Sequence, residues 1–143
     1  MKYKHIVFDI DGTLIDTEYA VLHSLQETIK GLSGREIPCS ELRFALGITG
    51  TDALKKLEIK DTSYAIELWD KNMRNYTNTI KVFDGIIELL KNLLSLDYEW
   101  GLSHQRQGKN LHMIFVRLVS VIISKQSYVQ TIHRNINPMP HRF

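Results

Sequence analysis

The stretch VFDIDGTLIDT, residues 7–17, places two carboxylates, Asp9 and Asp11, two positions apart, directly after an apolar run and directly before a glycine. An isolated ionised carboxylate is costly to bury, so such a pair needs a cation, hydrogen-bond donors or water around it. Short D-x-D-G strings also occur in ordinary solvated turns. The flanking residues therefore have to decide between a turn and a ligand site.

The residues on both sides of the acids favour a ligand site. Upstream, Ile6, Val7 and Phe8 predict a short strand that is buried on both faces, as in a parallel sheet. Downstream, apolar residues three or four apart predict a helix that begins near Asp16 or Thr17, either of which could cap it. The acids then lie at the carboxyl end of a strand, where open α/β sheets bind ligands.

The spacing of the two acids also suits a shared reaction centre. Residues two apart on an extended segment point to the same side, so Asp9 and Asp11 can converge. Gly12 permits a sharp turn, and Thr13 adds a hydroxyl donor beside them. A calcium-binding loop is disfavoured, because Thr13 and Leu14 stand where it would need further oxygen ligands.

This stretch resembles the first motif of the haloacid dehalogenase superfamily, h-h-h-D-x-D-G-T-L-h-D-[ST], where h is hydrophobic, and it matches every defining position. The resemblance implies phosphoryl transfer through an aspartyl-phosphate. Asp9 matches the nucleophile and Asp11 the general acid and base. Gly12 and Thr13 match the part of the loop that contacts the phosphate.

The resemblance also implies a Mg²⁺ cofactor. In the family the metal is held by the side chain of the Asp9-type residue, the backbone carbonyl of the Asp11-type residue and a distal acid. A carboxylate with an ordinary pKa near 4 is ionised at neutral pH, so Asp9 needs no activating base but needs help to approach an anionic phosphate. Mg²⁺ gives that help by neutralising charge.

For the whole chain the resemblance implies one α/β domain: a Rossmann-like parallel sheet core, here incomplete, with an inserted α-helical cap. The expected parts are a first strand and catalytic loop (1–14), the helical cap (15–80), a return to the core (81–102) and an atypical basic tail (103–143). Within the cap, Thr51 and Lys55 match a stretch that faces the active site in the family. A solvated helix face is the simpler interpretation of Lys55.

Composition restricts the class of protein. A length of 143 residues with 43% hydrophobic content suits one packed domain. The absence of a run of 18 apolar residues argues against a membrane span, and a charged N-terminus that enters a strand directly argues against a signal peptide. The single cysteine, Cys39, is typical of a cytoplasmic protein.

The tail departs from the family pattern. All 16 acidic residues precede Gly101, whereas residues 102–143 carry six of the 18 Lys and Arg, four of the six His and no acid. The family's phosphate-binding Ser or Thr, its lysine and its distal acidic pair are missing there; Ser103 stands one position early. Basic tails can bind nucleic acid weakly, but no motif here supports a specific site.

Two origins of the tail are open: an unusual basic module or a shifted reading frame. When the third base of each codon is joined to the first two bases of the next, residues 102–115 permit VTSKTRKEFAYDF. Residues 128–132 permit CADD and residues 134–140 permit KHKPNA in the same register. These strings resemble the missing family motifs in the right order, so we favour the loss of one base near Gly101 and Leu102.

Together these patterns predict a Mg²⁺-dependent phosphatase that acts on a small phosphorylated metabolite, with this chain impaired by its tail. Two alternatives remain: a phosphosugar mutase of the same superfamily, or a non-catalytic binding protein with a basic tail. The sequence leaves the substrate and the oligomeric state open.

Overall fold

The computed structural model describes residues 5–96 and 99–103, and the predicted basic tail lies outside them. The described chain alternates short strands with helices. In order these are β1 His5–Asp9, β2 Ile15–Asp16, α1 Glu18–Ser33, α2 Cys39–Leu42, a 3₁₀ helix Arg43–Gly47, α3 Gly50–Lys56, α4 Thr62–Met73, a 3₁₀ helix Arg74–Thr79, β3 Lys81–Val82, α5 Ile86–Ser95 and β4 Glu99–Ser103.

Two small ladders organise the strands. β1 pairs with β4 in parallel, with Val7 opposite Gly101 and Asp9 opposite Ser103. β2 pairs with β3 in antiparallel fashion, with Ile15 opposite Val82. This second ladder holds the beginning and the end of the helical segment, residues 18–79, side by side.

The helical segment has its own apolar core. Helix α1 forms because Leu22, Leu25 and Ile29 recur at helical spacing, and all three are buried. Helix α1 packs against α4, whose Trp69 and Met73 are also buried. Helix α4 ends at Met73, and the chain continues directly as the 3₁₀ helix Arg74–Thr79.

Buried polar groups in this core are satisfied by one another. The indole Nε1 of Trp69 donates to Ser24 Oγ at 2.9 Å, and Ser24 in turn donates to the carbonyl of Ala20 at 2.5 Å. Asn72 Nδ2 donates to Thr28 Oγ1 at 3.0 Å. Because an unsatisfied buried polar group is costly, these bonds fix how α1 and α4 meet.

The prediction that β1 is buried on both faces is wrong. The strand forms where expected, but Val7 is 62% exposed, and Ile6 and Phe8 are only half-buried. Within the described residues the sheet around β1 has two strands, too few to cover both of its faces. Among the same residues, no helix is long and apolar enough to cross a lipid bilayer.

Candidate active site

The loop that follows β1, residues 10–15, is tightly wound. Ile10 is buried, and its carbonyl accepts hydrogen bonds from the N–H groups of Leu14 at 3.0 Å and Ile15 at 3.2 Å. Gly12 has a φ of 73°, a left-handed conformation that strains other residues. The sequence therefore needs glycine here to bring the chain back on itself after the second acid.

Asp9 is the last residue of β1 and is exposed. Thr13 Oγ1 donates to Asp9 Oδ2 over a long distance of 3.5 Å. The expected hydroxyl donor thus lies beside the first acid. Because this contact is at the limit of a hydrogen bond, it orients Asp9 only loosely and leaves the carboxylate accessible to a ligand.

Asp11 is half-buried and is held from the other side. Thr17 Oγ1 donates to Asp11 Oδ1 at 3.2 Å, and Thr17 itself is only 3% exposed. Asp16 and Thr17 were both predicted as possible caps of α1, and the hydroxyl of Thr17 makes no capping bond. Asp16 takes part of that role, because its Oδ1 accepts from the N–H of Glu18 at 3.2 Å.

Both acids face a pocket of about 390 Å³ between the loop after β1 and the helical segment. We call it the aspartate pocket. Its volume is that of a small-molecule site. Its wall consists of four acids, Asp9, Asp11, Asp16 and Glu18, together with Gly12, Thr17, Val21, Ala45, Leu46, Gly47, Ile48 and Phe83.

The helical segment contributes Ala45 and the first part of the stretch LGITGTDALKKL, residues 46–57, which the family resemblance places at the active site. Thr51 is half-buried in the first turn of α3, and Lys55 is exposed near the end of that helix. Neither lines the aspartate pocket within the described part of the chain, whereas residues 45–48, which precede α3, do. Contact of Thr51 or Lys55 with a substrate stays a prediction.

An ion pair ties the pocket to the helical segment. Glu18, in the first turn of α1, pairs with Arg43, at the start of the 3₁₀ helix that leads into residues 45–47. The guanidinium engages both carboxylate oxygens, with Nη2 at 3.4 Å from Oε2. The pair therefore joins one acid of the pocket to the segment that forms its opposite wall.

The donor set fits Mg²⁺. Mg²⁺ prefers oxygen ligands, keeps several waters and is commonly bound by one or two carboxylates plus substrate phosphate. Asp9 and Asp11 both line the pocket wall, so the Asp9 carboxylate and the Asp11 backbone carbonyl would supply two oxygen ligands. Across residues 5–96 and 99–103 no group of three or more His, Cys, Asp or Glu side chains is arranged as a metal site.

Comparison with known proteins gives a family match. The family model for haloacid dehalogenase-like hydrolases matches residues 6–133. Pyrophosphatase PpaX from Oceanobacillus iheyensis is 28% identical over 118 residues, which are 79% of this chain and 53% of the relative. The chain thus spans about half the length of that curated relative.

Solved structures share the fold. A candidate phosphoglycolate phosphatase from Lactobacillus plantarum superposes with a TM-score of 0.78 at 19% identity, over 97% of this chain and 65% of that one. A hydrolase from Pseudomonas syringae gives a TM-score of 0.74 at 22% identity, over 90% and 59%. The expected fold class, a Rossmann-like α/β core with a helical cap, is confirmed.

Proposed function

The chain belongs to the haloacid dehalogenase-like hydrolase family, and from that membership we propose that it hydrolyses phosphate monoesters of small metabolites with Asp9 as the nucleophile. The observation that carries the proposal is the convergence of Asp9 and Asp11 on one pocket of small-molecule size. We place the reaction in the cytoplasm, in keeping with the free thiol of Cys39. An acid-lined pocket also disfavours nucleic acid.

The two acids have different roles in this reaction. The exposed Asp9 carboxylate attacks phosphorus, the bond to the ester oxygen breaks, and an aspartyl-phosphate forms. Asp11 gives its proton to the departing oxygen and then takes a proton from the water that attacks the aspartyl-phosphate. The bond from Thr17 to Asp11 supports this division, because it holds the proton-transferring group in one orientation.

Mg²⁺ would be held by the Asp9 and Asp11 side of the pocket, as the resemblance implies, and would supply charge neutralisation to the phosphoryl oxygens. Thr13 would steady the phosphate from beside Asp9. Gly12, which also lines the pocket, would present its backbone to the same group.

We also propose that turnover by this chain is slow. No acid follows Glu99 in the sequence, so the distal acid of the family's metal site cannot come from the tail. Each missing electrostatic contact to a developing charge lowers a rate by about 10²- to 10³-fold, although such losses do not simply add.

A phosphoenzyme assay tests the nucleophile without requiring fast turnover. The full chain is incubated with Mg²⁺ and radiolabelled acetyl phosphate, quenched in acid and treated with hydroxylamine, which cleaves acyl phosphates. We expect hydroxylamine-sensitive label on the wild type, none on Asp9→Asn, and persistent label on Asp11→Asn, which lacks the base for the second step.

Asp16→Asn is the matched control, since Asp16 lines the same pocket but bonds locally to the N–H of Glu18. It should keep its label. Label that survives in Asp9→Asn, or that is lost equally from Asp9→Asn and Asp16→Asn, would rule out Asp9 as the nucleophile.

A further inference from the structure

The charge and polarity of the wall of the aspartate pocket restrict which leaving groups it can bind. We propose that this pocket accepts phosphate monoesters whose leaving group is small and neutral or cationic, and rejects those with a second anionic group. The inference rests on the proposed function, because it concerns the part of the substrate that Asp9 does not attack.

The first observation is the apolar character of the wall built by the helical segment. Residues 45–48, of sequence ALGI, face the acids and carry no charge. Val21 is buried on α1, and Phe83, 40% exposed, stands at the end of β3. An anionic leaving group placed against such a surface would lose hydration without gaining a hydrogen-bond donor.

The second observation is the charge of the polar wall. Beyond the two acids of the motif, Asp16 and Glu18 line the same pocket. No Lys, Arg or His lines it within the range that the structure describes. A carboxylate or second phosphate on the leaving group would meet carboxylates there, and like charges brought together without water between them repel strongly.

The third observation concerns Arg43, the cation tied to the pocket. Its guanidinium is engaged by both oxygens of Glu18. Both side chains of this pair are exposed, 60% for Arg43 and 44% for Glu18, and of the two only Glu18 lines the pocket among the described residues. Glu18 therefore presents a carboxylate to the pocket, while its pairing occupies the guanidinium of Arg43.

The proposed selectivity differs from the substrates that the names of two similar proteins state. Pyrophosphate and phosphoglycolate each carry a second anionic group, and those names appear among the similar proteins. For this chain the pocket wall disfavours both compounds. Small phosphorylated alcohols and amino alcohols suit it better.

Size-matched phosphonates test the proposal by binding, which does not depend on turnover. Ethylphosphonate, 2-aminoethylphosphonate and phosphonoacetate differ mainly in a neutral, cationic or anionic end. Their affinities for the full chain are measured by calorimetry with Mg²⁺, at a pH where the phosphonate groups carry equal charge. We expect phosphonoacetate to bind about tenfold more weakly than ethylphosphonate, and the amino compound at least as tightly.

Two variants assign the effect to Glu18. In Glu18→Gln the wall loses a negative charge and Arg43 loses its partner, so the discrimination against phosphonoacetate should shrink to about threefold or reverse. Glu36→Gln is the matched control, because it breaks an exposed ion pair with Lys30 in the same helical segment, away from the pocket. It should leave the affinities unchanged, and circular dichroism checks the fold of both variants.

The outcomes distinguish a failure of the proposed selectivity from a failure of the proposed function. If ethylphosphonate binds and phosphonoacetate or methylenediphosphonate binds equally well or better, the selectivity is wrong and the proposed function stands. If neither inorganic phosphate nor any phosphonate binds, the proposed function fails and the selectivity fails with it. An equal change of discrimination in Glu18→Gln and Glu36→Gln would remove Glu18 from the explanation.

Discussion

The helical segment and the strand pair β1/β4 reach very different degrees of burial. In the helical segment Leu25, Ile29, Leu42 and Leu54 are fully buried. In β1, by contrast, Val7 is 62% exposed although it is an apolar residue in the middle of a strand. A helical bundle can bury its apolar residues against local neighbours, whereas a strand needs partners on each side and a layer on each face.

The two regions therefore differ in how completely their apolar residues are packed. The helical segment, which forms part of the pocket wall, has a well-buried apolar core. The strand that carries Asp9 has β4 as its partner within the described residues. Experiments that change one region and leave the other intact can measure the difference.

The largest effect is expected from restoring the reading frame, because this changes the chain around β4 and leaves the helical segment unchanged. We predict that the coding DNA, read in the register given above, continues as an open frame past the codon for Phe143. Restoring one base near Gly101 and Leu102 should return a phosphate-binding Thr, a Lys and a distal acid. Phosphatase activity should rise by at least about 10²-fold, because a single electrostatic contact to the transition state changes the rate by about that factor.

DNA sequencing and a phosphate-release assay of the repaired protein check this prediction. Early stop codons in that register, or codons that spell none of V-T-S, A-D-D or K-P, would make the tail a selected feature. The family match extends to residue 133, so it reaches into the tail under either origin.

The next effect in size compares one core residue from each region. Trp69→Ala should lower the free energy of unfolding by about 3–5 kcal/mol, because it leaves a cavity and removes the donor to Ser24. Val7→Ala should cost about 0.5 kcal/mol or less, as expected for an exposed side chain. Urea unfolding followed by circular dichroism measures both. Equal losses would mean that Val7 is packed in solution and that the contrast is wrong.

A smaller effect is expected where the two regions meet. Thr17→Val removes the hydroxyl that orients Asp11 and should slow decay of the phosphoenzyme about tenfold, with a stability loss of about 1 kcal/mol. Thr28→Val is the control, since Thr28 is also buried and hydrogen-bonded but lies away from the pocket. It should lose similar stability and keep the decay rate. If both variants decay alike, Thr17 has a structural role only.

The smallest effect concerns the surface of the helical segment. The hydrogen bond from Lys30, and then its charge, lower the pKa of Glu36 below its ordinary value. A carboxyl whose folded pKa is depressed contributes stability above its unfolded pKa and loses it as the pH falls through the folded value. Glu36→Gln should therefore shift the urea midpoint slightly at pH 7 and less at pH 3, since exposed pairs contribute little. A shift that is larger at pH 3 would contradict this assignment.

Local pattern was sufficient to predict the elements near the acids. The apolar run before Asp9 predicted β1, and helical spacing predicted α1, because both depend on neighbours within a few residues. The turn at Gly12 followed from its sequence context, and its positive φ agrees. The hydroxyl of Thr13 also lies beside Asp9 as expected.

Features set by distant contacts were not predictable in the same way. The bond from Thr17 to Asp11 competes with helix capping, and nothing in the sequence decides between them. The choice of residues 45–48 as the pocket wall depends on how α1 and the 3₁₀ helix pack, which the pairing of Glu18 and Arg43 helps to fix. The exposure of Val7 depends on strands far along the chain.

The pairing of β2 with β3 bears on whether the helical segment can be exchanged for another domain. Because Asp16 lies opposite Lys81, the helical segment leaves and re-enters the chain at nearly the same point in space. Such an insertion can be exchanged for another of different shape without moving Asp9 or Asp11, since close ends tolerate grafted domains. Under the proposed function Asp9 and Asp11 determine the reaction, and an exchanged segment would change which substrates bind.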